Sequence, residues 1–354
     1  MPFSPRVDPP PGLVAPRRVG SGSDQVSRVA ARGTAWRRVA RGWYVSASAP
    51  DVVEQRIVEQ VARCGPGAAV TGWAALRLHG VAYADGTDRQ GRARPVVVVA
   101  AGSRTRDCAD VVLVRERLAP DEVVVRQGVR CVRPERALAH EVCRQRDPRE
   151  AVVLVDMACA AEVTTLDRLR AWLAAHSGLR HRGRLAQALL LADEHSASPQ
   201  ETRLRLLWQL DAHRGRPLTN RQLLDQHGRV LGVADLVDPD HGVVGEYDGA
   251  EHRTRARHRR DVHREAAFRA AGLEVVTAVS GDLDRRDRAV SRIDQAYARA
   301  GSQPRLFVVG PPVDLATGRP AAPLEERVAE RVRRAEAREA ARRRAVEPTA
   351  GAAG

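Results

Sequence analysis

Lysine is absent from this chain of 354 residues, and all 58 of its basic side chains are arginine. Aromatic residues make up only 3% of the sequence, so any core is predicted to consist mainly of alanine, valine and leucine. The five cysteines form no Cys-x-x-Cys pair, which argues against a zinc site and favours reduced thiols. No apolar run approaches the roughly 18 residues that a membrane span needs, and no signal peptide is recognisable. We therefore expect a cytoplasmic protein without a membrane partner.

The charge balance is strongly basic. The net charge is +14 with a pI near 10.9, which suggests a polyanionic partner. The missing lysine also indicates a GC-rich coding bias, so basicity alone argues only in part for nucleic acid. Guanidinium groups nevertheless suit phosphate, because they stay charged and donate two parallel hydrogen bonds. The expected partner is nucleic acid, in the first place DNA.

The stretch 233–249 is the most informative part of the sequence. Two short apolar strands, 233–237 and 243–247, flank a turn sequence, and they predict a β-hairpin. Glu246 and Asp248 leave the same face of the second strand, and Asp235 lies within reach on the first. Three carboxylates on one face repel each other, and a divalent cation such as Mg²⁺ or Mn²⁺ would offset that repulsion. In the alternative interpretation, these acids are solvated or paired with arginines.

The N-terminal region combines a short helix pattern with a basic hairpin. Residues 1–22 are rich in proline, glycine and serine and are expected to be disordered. Residues 24–32 predict a helix, and 36–45 alternate basic and apolar residues around a turn. This layout is typical of a winged helix-turn-helix, or equally of an ordinary helix and hairpin with solvated arginines. The expected DNA contacts of this wing are Arg37, Arg38 and Arg41.

The remaining segments complete the predicted domain organisation. The expected parts are a disordered 1–22, a winged-helix-like 23–80, a mixed α/β domain over 81–195, a domain over 196–300 and a charged helical tail over 320–354. In the fourth part, Ser198 caps a helix that carries Pro199 at its first position and Glu201 in its first turn. A strand over 219–224, the acidic hairpin, a helix over 252–271 and a strand over 273–279 follow. The order is α-β-β-β-α-β.

This order and its acids resemble the very-short-patch-repair (Vsr)-like branch of the PD-(D/E)XK nuclease fold. The resemblance covers residues 198–282, about a quarter of the chain, and the matching segments are 198–205, 233–236, 245–252, 261–264 and 272–276. It implies an α/β protein with a restriction-endonuclease-like αβββαβ core, preceded by an α+β region. More weakly, 36–45 and 69–80 resemble the N-terminal part of AbiEi-type antitoxins and regulators.

The nuclease resemblance also implies roles for individual residues. Asp235 and Glu246 would hold Mg²⁺ or Mn²⁺, with Glu201 completing the site. His252 would transfer protons, although it would equally suit a surface position at a helix start, and Arg264 matches an Asp-x-x-Arg motif and would clamp phosphate. Asp248 stands where the family usually has a lysine, so it is the doubtful member of the catalytic set.

Spacing on the long helix adds an arginine stripe beside the acids. Arg253, Arg257, Arg260 and Arg264 recur at i, i+4, i+7 and i+11, where a scissile phosphate would need positive charge, although some could pair with acids of the same helix. The leading hypothesis is a DNA-binding protein with a metal-dependent endonuclease domain. The alternative is an AbiEi-type regulator with a degenerate, non-catalytic nuclease fold, and an RNA nuclease or toxin-like effector stays open.

Overall fold

The computed structural model describes residues 3–7, 10, 12–88, 90–101, 106–248, 255–279, 281–301, 303–315 and 317–346, with the backbone alone at 255–262, 343, 345 and 346. The chain divides into two compact units. Unit 1 comprises Met1–Pro5, Gln145–Arg170 and His181–Arg327, and unit 2 comprises Arg6–Arg144, Ala171–Arg180 and Val328–Gly354. The protein is mixed α/β, as the sequence predicts.

Unit 2 contains two sheets. Its strands and helices are β1 (Arg17–Arg18), β2 (Trp36–Ala40), β3 (Trp43–Ser46), α1 (Val53–Ala62), β4 (Ala69–Thr71), α2 (Gly72–Leu78), β5 (Val96–Val99), β6 (Val111–Val114), β7 (Val123–Arg126), β8 (Val129–Val132) and α3 (Pro134–Arg144). A small antiparallel sheet has the order β1-β3-β2, and a five-stranded sheet has the order β6-β5-β4-β8-β7.

Unit 1 is built on one six-stranded sheet of order β12-β11-β10-β9-β13-β14. Its elements are α4 (Pro148–Ala160), α6 (Arg182–Leu191), α7 (Pro199–Leu210), β9 (Leu218–Asp225), β10 (Val230–Asp238), β11 (Val243–Asp248), α8 (Arg255–Ala270), β12 (Glu274–Val279), α9 (Arg286–Ala300), β13 (Phe307–Asp314) and β14 (Arg319–Pro320). Two further helices, α5 (Leu166–Ala175) and α10 (Leu324–Val346), each cross a boundary between the units in sequence.

Helices cover both faces of the unit 1 sheet. On one face α7 and α9 pack Trp208 and Ile293 against Leu236, and on the other Phe268 of α8 packs against Val244. A strand covered on both faces can be apolar at consecutive positions, and β11 begins with such a pair of valines. Strands β9, β10 and β11 are antiparallel, whereas β11 and β12, which α8 connects, are parallel.

The predicted order α-β-β-β-α-β is present as α7, β9, β10, β11, α8 and β12. The sheet is larger than predicted, because β13 pairs with the free edge of β9. In addition, α9 packs on the same face of the sheet as α7. Among the described residues, no helix combines the length and apolarity that crossing a membrane requires.

The N-terminal region departs from the predicted winged helix. Instead of a helix over 24–32, the structure has one 3-10 turn, Ala30–Arg32, which is too short to enter a DNA groove. Part of the segment expected to be disordered is a strand, since Arg17–Arg18 pairs with β3. The predicted hairpin is present as β2 and β3. The turn ends at Gly33, where the predicted helix would also end, so the missing part is 24–29, and no buried residue within the turn supports a longer helix.

Candidate active site

The acidic hairpin, β10 and β11, and the neighbouring strand β9 carry oxygen-bearing side chains at facing positions. Strand β10 pairs with β11 so that Leu236 lies opposite Gly245, and the next step of this register brings Asp235 opposite Glu246. The same strand pairs with β9 at Leu236 and Thr219, which brings Asn220 beside Asp235. The Asp235 carboxylate accepts a hydrogen bond of 2.9 Å from the backbone N–H of Tyr247. A row of Asn220, Asp235 and Glu246 therefore crosses the sheet.

Glu201 reaches the site from the first turn of α7. The helix begins as predicted, with the Ser198 hydroxyl accepting from the Glu201 backbone N–H and proline at the first position. The Glu201 side chain is 8% exposed, and its Oε2 accepts hydrogen bonds of 2.8 Å from the Ala197 backbone N–H and from the Asn220 amide. Burial and then the negative charge of Asp235 raise the pKa of Glu201 to about 7, against these hydrogen bonds. Asp235 and Glu201 are therefore close enough to repel each other.

Asn220 was not predicted as a site residue. Its backbone is left-handed at φ +48°, a conformation that asparagine tolerates better than most residues. The side chain is 2% exposed, and its amide donates to the His195 carbonyl at 2.6 Å and to Glu201 at 2.8 Å. Among the described residues, the buried Asn220 Oδ1 has no hydrogen-bond donor. Neither the strand pattern nor the motif spacing indicated this role, because it depends on where α7 packs.

Glu246 forms an ion pair with Arg264, the residue that is predicted to bind phosphate. Its Oε2 accepts from the Arg264 guanidinium at 2.5 Å, and only 9% of the residue is exposed. The aliphatic part of Arg264 crosses β10 at Gly232, where an added Cβ would lie 2.8 Å from its Cγ. Arg264 thus faces the sheet, where it contacts a proposed metal ligand, Glu246.

A buried ion pair anchors α7 and so positions Glu201. Arg205, one turn after Glu201, and Asp156 of α4 are both fully buried and lie 2.7 Å apart. Asp156 also accepts hydrogen bonds of 2.8 Å from the Thr202 hydroxyl and from the Asp193 backbone N–H. The Arg205 guanidinium further donates to the Leu191 carbonyl. These contacts fix α7 against α4.

The donor chemistry fits a hard cation, although not as a complete three-carboxylate cage. Within the described parts of the chain, no three histidine, cysteine, aspartate or glutamate side chains converge to hold a metal. Mg²⁺, however, is usually held by one or two protein carboxylates, with water and substrate phosphate completing the shell. Glu201 and Asp235 meet that requirement, and the Asn220 carbonyl oxygen is a further neutral donor beside Glu201. Glu246 would have to leave Arg264 to join them.

The other predicted residues fall into two groups. Asp248 lies at the end of β11, paired with Val279 of β12. His252 and Arg253 lie outside the described residues, and the side chains of Arg257 and Arg260 in α8 do as well. Their predicted roles stay predictions.

The three N-terminal arginines occupy different environments. Arg37 makes a bidentate pair with Glu59 of α1, at 3.1 and 2.7 Å, and this pairing raises the pKa of Arg37. Arg38 and Arg41 are exposed, and Arg38 makes one long hydrogen bond, to the Ala40 carbonyl. Arg37 therefore ties the hairpin to the core, whereas Arg38 and Arg41 face solvent.

Comparisons of the chain with protein-family models, with curated proteins and with solved structures gave no match.

Proposed function

We propose that unit 1 is a divalent-metal-dependent phosphodiesterase that acts on nucleic acid, as an endonuclease. The observation that carries this proposal is the buried carboxylate of Glu201 beside the half-buried Asp235. Holding a buried carboxylate beside a second negative charge costs folding free energy, and such perturbed carboxylates cluster at functional sites. The surrounding hydrogen bonds from Ala197 and Asn220 keep Glu201 in place rather than letting it turn to solvent.

Each residue of the site has a part in this proposal. Glu201 and Asp235 would hold Mg²⁺ or Mn²⁺, whose contribution when bound is positive charge beside the phosphate. Glu246 would complete the ligand set after giving up Arg264, and the released guanidinium suits a phosphate oxygen because it donates in a planar fork. His252 would transfer the proton, since an imidazole titrates near neutral pH.

The test is nicking of supercoiled plasmid DNA by the full chain, with Mg²⁺ or Mn²⁺ and with EDTA. We expect wild-type nicking that EDTA abolishes and a loss of about 100-fold or more in Asp235→Asn and Glu201→Gln, because the site would lose charge needed for the cation. Asp240→Asn is the matched control, since Asp240 is exposed in the turn of the same hairpin. Absence of nicking by the wild type, or equal nicking by Asp235→Asn, would refute the catalytic proposal.

A non-catalytic nucleic-acid-binding regulator is the second candidate. The Arg264–Glu246 pair favours it, because the arginine already neutralises one of the three acids, and Asp248 stands where catalysis would place a lysine. Binding of the chain to DNA upstream of its own gene, unchanged by EDTA and by Asp235→Asn but weakened by Arg38→Gln, would favour this regulator. Metal-dependent nicking would exclude it as the sole function.

A further inference from the structure

The small sheet of unit 2 has two faces of opposite character. In an antiparallel pair, residues directly opposite each other project from the same face. Arg37 lies opposite Val45, and this face is inward, because Val45 is fully buried and Arg37 pairs with Glu59. The neighbouring positions, Arg38 of β2 and Tyr44 of β3, therefore project from the other face.

Strand β1 extends this outer face by a further arginine. Arg17 lies opposite Tyr44, so that Arg17, Tyr44 and Arg38 form one row across three strands, with Tyr44 on the central strand between the two arginines. Trp36, two residues before Arg38, belongs to the same face, and the Arg17 guanidinium lies 6.0 Å from the centre of its ring. We call these four residues, Arg17, Trp36, Arg38 and Tyr44, the arginine–aromatic face.

The segment that forms this small sheet carries almost only positive charge. Between residues 12 and 50 the sequence has seven arginines and a single acid, Asp24. In the described part of the chain no carboxylate forms an ion pair with Arg17 or Arg38, and both are exposed. Arg37 of the same hairpin, by contrast, pairs with Glu59. A face that keeps its positive charge uncompensated is complementary to a polyanion.

We propose that the arginine–aromatic face binds single-stranded nucleic acid, with bases stacked on Tyr44 and Trp36 and phosphates held by Arg17 and Arg38. Aromatic rings between arginines on an open sheet are the arrangement that binds single strands, because unpaired bases offer a free ring face and duplex bases do not. A wing that binds duplex DNA would need only the arginines. It would also be accompanied by a recognition helix, and at that place the structure has the 3-10 turn Ala30–Arg32. This binding does not depend on catalysis in unit 1.

The test measures binding of the full chain to a fluorescein-labelled oligothymidylate and to a duplex of equal length, by fluorescence anisotropy in EDTA. We expect the single strand to bind more tightly than the duplex. Tyr44→Leu should weaken single-strand binding by about 5- to 100-fold while leaving its salt dependence unchanged, because stacking releases no counterions. Tyr44→Phe keeps the ring and should retain the wild-type affinity.

Arginine variants separate phosphate contacts from stacking. Arg38→Gln should reduce the slope of log affinity against log salt by about 0.7, the value for one phosphate contact on a single strand. Arg130→Gln is the matched control, because Arg130 is an exposed strand arginine of the same unit and lies outside this face. Equal or tighter duplex binding together with an unaffected Tyr44→Leu would overturn the proposal. An Arg130→Gln effect as large as that of Arg38→Gln would also overturn it, since binding would then follow net charge alone.

Discussion

Helix α7 carries two buried charged environments one turn apart, and they have opposite energetic character. Toward α4, Asp156 meets the guanidinium of Arg205, and toward the sheet Glu201 meets the carboxylate of Asp235. Burial raises the pKa of both Asp156 and Glu201, but Arg205 opposes the rise at Asp156, whereas Asp235 adds to it at Glu201. We call Asp156 the compensated acid, because a basic group faces it, and Glu201 the uncompensated acid, because a second acid faces it. Burial alone therefore does not set the energetic effect of a buried acid, since the charge of its neighbour decides it.

Removing the compensated acid should have the largest effect. Asp156→Ala leaves the Arg205 charge buried without its counter-ion, and we expect a loss of about 3–5 kcal/mol in the free energy of unfolding. Urea unfolding followed by circular dichroism measures it. The double variant Asp156→Leu with Arg205→Met should be less destabilised than Asp156→Ala, because no charge stays buried. A double variant as unstable as the single one would show that the ion pair itself, rather than the orphaned charge, matters.

Removing the uncompensated acid, Glu201, should instead raise the free energy of unfolding at neutral and higher pH. The pKa of Glu201 is about 7 in the folded protein against 4.5 for an ordinary glutamate, so the folded state binds the proton more tightly. The contribution of Glu201 to the free energy of unfolding should therefore fall as pH rises from about 4.5 to 7, by up to about 3 kcal/mol, and the difference between Glu201→Gln and the wild type isolates it from the other titrating groups. Glu201→Gln abolishes this loss, so in EDTA it should match the wild type near pH 4.5 and exceed it at pH 8.

Asp235→Asn is the reciprocal control for that experiment. It removes the charge that opposes ionisation of Glu201, so part of the pH-dependent loss should disappear in this variant as well. Identical pH profiles of unfolding for the wild type and Glu201→Gln would contradict the assigned strain between the two carboxylates.

The smallest predicted effect concerns the residue between the two environments. Asn220→Gly removes the hydrogen bonds to Glu201 and His195 but suits the left-handed backbone, and we expect a loss of about 1–2 kcal/mol in the free energy of unfolding. Asn220→Ala should lose about 1 kcal/mol more, because alanine is strained at φ +48°. Thermal unfolding of the two variants in parallel measures the difference. Equal stability of both would show that the backbone relaxes at this position.

Local chemistry made much of unit 1 predictable from sequence. The Ser198–Pro199 start fixes where α7 begins, and the valine-rich strands around a proline–glycine turn predict the hairpin that holds Asp235 and Glu246. Strand β13 was missed because Gly310 and two prolines interrupt its pattern, and its pairing with β9 is decided by tertiary packing. The helix predicted over 24–32 was wrong for the same reason, since Val26 is buried in a β-bridge with Val19 instead of on a helix face.

The candidate site was predictable in its acids but not in their partners. Spacing placed Asp235 and Glu246 together, and the nuclease resemblance added Glu201, yet neither showed that Arg264 binds Glu246 or that Asn220 holds Glu201. Each of these contacts joins a helix to a strand next to it in sequence, and each depends on the angle at which that helix crosses the sheet. Periodicity carries no information about that angle.

Gly232 gives the site an unusual sensitivity to a single methyl group. The aliphatic part of Arg264 occupies the space beside this glycine, and the ring of Phe268 lies 3.1 Å from the position that a Cβ would take. Alanine at this position would bring its Cβ to 2.8 Å from the Arg264 Cγ, so the arginine would have to shift, without any change of charge in the protein. The pairing of Arg264 with Glu246 therefore depends on backbone clearance on a neighbouring strand, at a residue that has no side chain of its own.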